Sequence, residues 1–127
     1  MGNPANHPRF TSFAEFWPFY VQEHRRPATR LLHFLGSTLA IVLMLAAIAL
    51  RQWWLLIGVP LVGYGFAWLS HFGIEHNRPA TFEYPLWSLA ADWKMWLLML
   101  SGRMGREVAR IEREVNAPAS ITNATAR

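Results

Sequence analysis

The sequence predicts an all-α protein of the membrane: an integral helical hairpin with flanking interfacial or re-entrant helices. Three observations carry that fold class. Residues 31–50 and 53–72 are two runs of twenty without a formal charge, each long enough to cross a bilayer core of about 30 Å at about 1.5 Å per residue. Charged residues make up 16% of the 127, and hydrophobic ones 53%, where soluble domains carry about 25% charged. Basic residues bracket the runs: Arg25, Arg26 and Arg30 precede the first, Arg78, Arg103 and Arg106 follow the second, and Arg51 alone sits between them. By the positive-inside rule both termini are cytoplasmic.

Taken in order, residues 1–10 read as a flexible lead. Residues 11–102 read as a single membrane helical domain, and 103–127 as a polar tail, first helical and then disordered. The lead has no apolar stretch of signal-peptide type. A first helix is expected over 11–24, where Ser12 and Glu15 have capping-box spacing. Phe13, Phe16, Trp17 and Tyr20 fall on one face of it, and Pro18 should kink or split it. Pro27 suits the first turn of the next helix. Arg51, Gln52, Trp53 and Trp54 form the turn, with aromatics suited to an interface. Pro60, Gly63 and Gly65 are tolerable within a membrane helix, and Gly58, Gly63 and Gly65 invite a neighbour to approach closely.

Asn77, Arg78 and Pro79 stop the second run. Residues 84–100 carry Asp92 and Lys94 at mid-segment among three Trp, too polar for a clear span, so an interfacial or re-entrant helix is expected there. In the tail, Glu107, Arg110 and Glu114 are spaced to pair along a solvated helix. Asn123-Ala124-Thr125 has the pattern of a glycosylation acceptor, discounted because the tail is expected in the cytoplasm.

The chain has no Cys, which excludes disulfides and thiolate metal sites. Its net charge is +4, and eleven of its twelve basic residues are Arg. Because these flank apolar runs, they point to an anionic membrane surface and not to nucleic acid.

One constellation follows from counting. In an antiparallel hairpin turning at Gln52, His33 lies nineteen residues before the turn and His71 nineteen after it. Both then sit about 28 Å from the turn, at one depth on the cytoplasmic side. Glu75 follows His71 by one α-helical turn. His24 and His33 would lie about 180° apart on one straight helix, and share a site only if the chain bends between them; Pro27 supplies the bend. The set is His24, His33 and His71, with Glu75 as a further candidate and His76 turned away. Imidazole with carboxylate and open positions suits Fe(II), Zn or Mn. By spacing alone these His remain equally readable as interfacial hydrogen-bonding residues, Glu75 as a partner of Arg78, and Arg78-Pro79 as a stop signal.

Two stretches carry a resemblance. FYVQEHRRPATRLLHFLGS at 19–37 and GYGFAWLSHFGIEHNRPATFEYPLWSLAADWKMW at 63–96 resemble the family named for the fungal metabolism of phytosphingosine to odd-numbered fatty acids. Its members carry one His, a second nine or ten residues on, and then a His, Glu and Arg-Pro-Ala cluster, matched here by His71, Glu75, Arg78, Pro79 and Ala80. Ser70 stands where the family often has Gly, and the chain is similar to the short bacterial members. The resemblance implies a bacterial inner-membrane, Fe(II)-dependent dioxygenase that takes molecular oxygen and shortens 2-hydroxy fatty acids by one carbon. It implies His24, His33 and His71 as iron ligands and Glu75 as a further ligand or a partner orienting an imidazole. Arg78 or Arg30 would hold the substrate carboxylate. The alternative is a non-enzymatic small membrane scaffold or lipid-binding protein.

Overall fold

The structure is a computed structural model and describes residues 9–117. Five α-helices run through them: α1 Phe13–Glu23, α2 Pro27–Leu50, α3 Gly58–Ser70, α4 Pro85–Leu100 and α5 Met104–Asn116. Among the described residues there is no strand. The expectations for the first eight and last ten residues, including the disordered end and Asn123, lie outside the described part.

Two rods are long and apolar enough to cross a membrane: α2, and the unit Trp53–Glu75. The latter begins with the 3-10 turn Trp53–Ile57, continues as α3 and ends in the π-helical turn His71–Glu75. Arg51 closes α2 in the left-handed conformation, φ 52°, and its N–H donates to the Ala47 and Ile48 carbonyls. That is the usual way for a helix to satisfy its last carbonyls before reversing.

The two rods pack antiparallel, since Gly36 lies against Val62 and Phe66 while Gly58 lies against Leu43. The closest approach is at Gly36, where a Cβ would come within 2.8 Å of Phe66 Cβ. Of the glycines expected to admit a neighbour, Gly58 does so, but a Cβ on Gly63 or Gly65 would meet nothing within 4 Å. The outward faces remain apolar and exposed: Leu31, Leu35, Val42, Leu45, Leu61, Leu69 and Phe72 among others. Exposed apolar side chains along both rods suit contact with lipid.

α1, α4 and α5 make the other half. Pro18 does not split α1, which runs unbroken from Phe13. The helix is held instead by burial of Phe16, Trp17, Tyr20 and Val21 against Ala91 and Met95 of α4 and Met104 and Ile111 of α5. At its start Ser12 Oγ accepts from the Glu15 N–H at 3.3 Å. The Glu15 carboxylate reaches Thr11, one residue further back than a capping box requires, taking its N–H at 3.0 Å and its hydroxyl at 3.1 Å. α4 exposes Leu86, Leu89, Leu97 and Leu100.

The polar tail is helical as expected, and Arg110 pairs with Glu107 at 2.5 Å and Glu114 at 2.7 Å. It is not merely solvated. Met104 and Ile111 are buried, and Trp17 Nε1 donates to Glu107 at 2.8 Å, so α5 completes the same core.

Candidate metal centre

Three short-range features set up the centre. Glu23 ends α1, and His24 caps it with its backbone N–H on the Val21 carbonyl. Pro27 starts α2 in a new direction, so His24 and His33 come from two helices and face one another. On the third side α3 gives way at His71 to a π turn, a feature frequent at functional sites.

The structure brings His24, His33 and His71 together and buries all three, with one ring nitrogen of each within 4.8 Å of the others. Their ring centroids are 4.4 to 5.1 Å apart and their planes 76° to 87° from one another. His24 Nε2 and His33 Nε2 are 3.1 Å apart. Two nitrogens bonded to one ion at about 2.1 Å and at right angles would be about 3.0 Å apart.

The other ring nitrogens of His24 and His71 are hydrogen-bonded, and that of His33 faces a carboxylate. His24 Nδ1 donates to the Tyr20 carbonyl at 2.6 Å, and a carbonyl can only accept. His71 Nδ1 donates to Asn77 Oδ1 at 2.7 Å. The Asn77 amide cannot be the other way round, because its Nδ2 donates to the Glu23 carbonyl at 3.1 Å and the Glu23 carboxylate at 2.7 Å. His33 Nδ1 faces Asp92 Oδ1 at 3.6 Å, which draws that ring's proton to the same side. Protons on all three Nδ1 leave lone pairs on all three Nε2. Lone pairs converging at such distances repel unless a cation or proton lies between them, so the donor set fits a divalent metal. Partners on the far nitrogen are the usual means of fixing tautomer and ring orientation in metal-bound His. Burial, reinforced by the neighbouring His33 and His71, holds His24 well below the ordinary His range, which keeps it in the neutral form a metal needs.

Tyr20 stacks on His24, centroids 4.0 Å apart, and its hydroxyl donates to Asp92 Oδ1. Burial and the Asp92 charge raise the phenol well above its ordinary value, so it stays a proton donor.

The remaining expected residues are elsewhere. Glu75 lies outside the imidazole cluster, and its Oε1 accepts from the Arg26 N–H at 2.8 Å and the Thr29 hydroxyl at 2.7 Å. It thereby fastens the π turn to the first turn of α2. Counting one α-helical turn from His71 fails because the π turn is wider. Arg78 is exposed, with its guanidinium 4.7 Å over the Phe82 ring. Arg30 donates to the carbonyls of His24 and Arg25 at 2.9 and 2.7 Å, bracing the bend at Pro27. His76 is exposed with φ 56°. Sequence reasoning passed over Asp92 and Asn77. An ionisable residue within an apolar helix is itself a signal of a site, and Asp92 was read only as a break in a span.

A cavity of about 240 Å³ opens beside the three imidazoles. Tyr20, Asp92 and Ser88 line it with them, and Val59, Pro60, Gly63, Tyr64, Ala67 and Trp68 form its α3 wall. The sequence model of a family described as 2-hydroxy-palmitic acid dioxygenase Mpo1-like matches residues 10–104. No curated protein and no solved structure matches the chain.

Proposed function

Since the chain belongs to the 2-hydroxy-palmitic acid dioxygenase Mpo1-like family, we propose that it is an integral membrane Fe(II) dioxygenase that shortens 2-hydroxy fatty acids by one carbon. The observation that carries this is the buried convergence of His24, His33 and His71. These three would hold the iron, and three protein ligands leave positions open for substrate. When bound, the metal supplies the redox chemistry of oxygen reduction, which zinc lacks. The balance needs no separate reductant: one 2-hydroxy acid and one dioxygen give the acid one carbon shorter, carbon dioxide and water.

The chain's own groups orient and exclude. Asn77, the Tyr20 carbonyl and Asp92 fix the three rings with their Nε2 inward. Tyr20, stacked on His24, holds its proton against Asp92. Glu75 acts in this reading as a positioning residue, clasping the His71 turn to α2, and Arg78, exposed with its guanidinium over the Phe82 ring, is given no part in the reaction. The apolar belt on α2 and α3 supports residence in the bilayer, with both termini cytoplasmic at a bacterial inner membrane, and the acyl substrate arriving from lipid.

The test is anaerobic loading of detergent-purified protein with Fe(II), followed by 2-hydroxypalmitic acid and oxygen. The reading predicts a product acid one carbon shorter, with one dioxygen consumed per acid. Iron-loaded protein that leaves the acid intact would refute it.

A further inference from the structure

Two features of the cavity remain unused by the metal centre. Ser88 is 2% exposed, lines the cavity, and its hydroxyl has no hydrogen-bond partner. Leaving a buried hydroxyl unpaired costs about 1–3 kcal/mol, so a ligand or water must complete it. Gly63 also lines the cavity, and a Cβ there would meet nothing within 4 Å. The α3 wall runs from His71 back to Val59, twelve residues or about 18 Å along the helix. It is apolar for most of that length. A cavity with a mostly apolar α3 wall, the imidazoles on its lining and one unpaired buried hydroxyl fits a single chain with an oxygen-bearing head.

We propose that this cavity is an acyl chamber, in which Ser88 donates a hydrogen bond to the oxygenated head of a long-chain 2-hydroxy acid and the empty space at Gly63 admits its tail. The proposal rests on the dioxygenase reading for the identity of the head group. The chamber lies in the gap between α3 and α4, whose rims Tyr64, Trp68, Leu89 and Trp93 are partly exposed, so the tail enters sideways from lipid. Because α2 carries the packing on both flanks, a side chain added at Gly63 fills the chamber and leaves the helix contacts alone.

Gly63→Leu, Gly65→Leu and Ser88→Ala separate these roles. Gly65 is the matched control, since it makes the same change in helix propensity two residues away, and Gly65 does not line the cavity. Each iron-loaded variant is compared with wild type over a series of saturated 2-hydroxy acids of increasing length. The readouts are iron content, kcat, KM and displacement of a fluorescent fatty acid, the last independent of turnover.

Gly63→Leu is expected to keep its iron, handle short acids as wild type does and lose at least about tenfold in affinity for long ones. Gly65→Leu should follow wild type at every length. Ser88→Ala should raise KM at all lengths by about tenfold, the loss of one hydrogen bond, with kcat and iron little changed. Wild-type length preference in Gly63→Leu would overturn the tail placement, and an unchanged KM in Ser88→Ala the head contact, while the dioxygenase reading stood. Length-dependent displacement in wild type that Gly63→Leu abolishes, without turnover of any 2-hydroxy acid, would uphold the chamber and remove the enzymatic reading. Failure of every acid to displace the probe would overturn the chamber.

Discussion

The two ends of the α2–α3 pair are built on different principles. At the end holding His24, Thr29, His71 and Asn77, side chains from α1, α2 and the π turn are tied together by hydrogen bonds of 2.6 to 3.1 Å. At the other end, Leu50, Trp53, Trp54 and Ile57 are exposed, and Trp54 Nε1 donates to nearby Gln52 Oε1 at 3.1 Å. One end specifies atom positions; the other needs only length and an apolar surface. An apolar rod can therefore tolerate change along most of its surface while the end that carries the imidazoles tolerates very little.

The sharpest way to break this contrast is His71→Ala, which should abolish stoichiometric iron binding, read by metal analysis of the purified protein. Asn77→Ala removes no ligand, yet it frees the His71 ring and takes away the amide that donates to Glu23. Iron affinity should fall about 10–100-fold, measured by competition with a chelator. Gly36→Val tests the rods themselves. Overpacking against Phe66 should cost about 1–3 kcal/mol, seen as a lower midpoint in thermal denaturation in detergent. Glu75→Gln weakens a charged clasp to a neutral one, worth about 1 kcal/mol, and iron should stay bound. At the far end, Trp54→Leu should shift stability by no more than about 0.5 kcal/mol and leave iron content untouched. A large loss of iron there would erase the distinction between the ends.

What was legible in the sequence follows the same division. Rods are written in composition, so two charge-free runs and their Arg flanks located α2 and α3 to within a few residues. His33 and His71 were legible because an antiparallel pair converts equal spacing from a turn into equal depth, and His24 because Pro27 makes the bend visible. The role of Glu75 was not, since counting by four presumes an α-helix and the chain runs as a π turn from His71. Asp92 was hidden by its own helix: one carboxylate among Trp and Leu reads as a flaw in a span until Tyr20 and His33 are seen against it. The docking of α5 was missed because alternating Arg and Glu drew attention away from Met104, Val108 and Ile111, which share one face. Asn77 looked like part of a stop signal, and only a fold that returns Glu23 to its side shows what its amide holds.

The central claim is that three imidazoles from α1, α2 and the end of α3 bind one metal ion through Nε2. X-ray absorption at the iron edge of Fe(II)-loaded wild-type protein tests it most directly. The account predicts one iron per chain with three imidazole nitrogens at about 2.1 Å, and loss of that signature in His24→Ala and His33→Ala alike. An iron shell without imidazole scattering, or the same shell persisting in both variants, would contradict it.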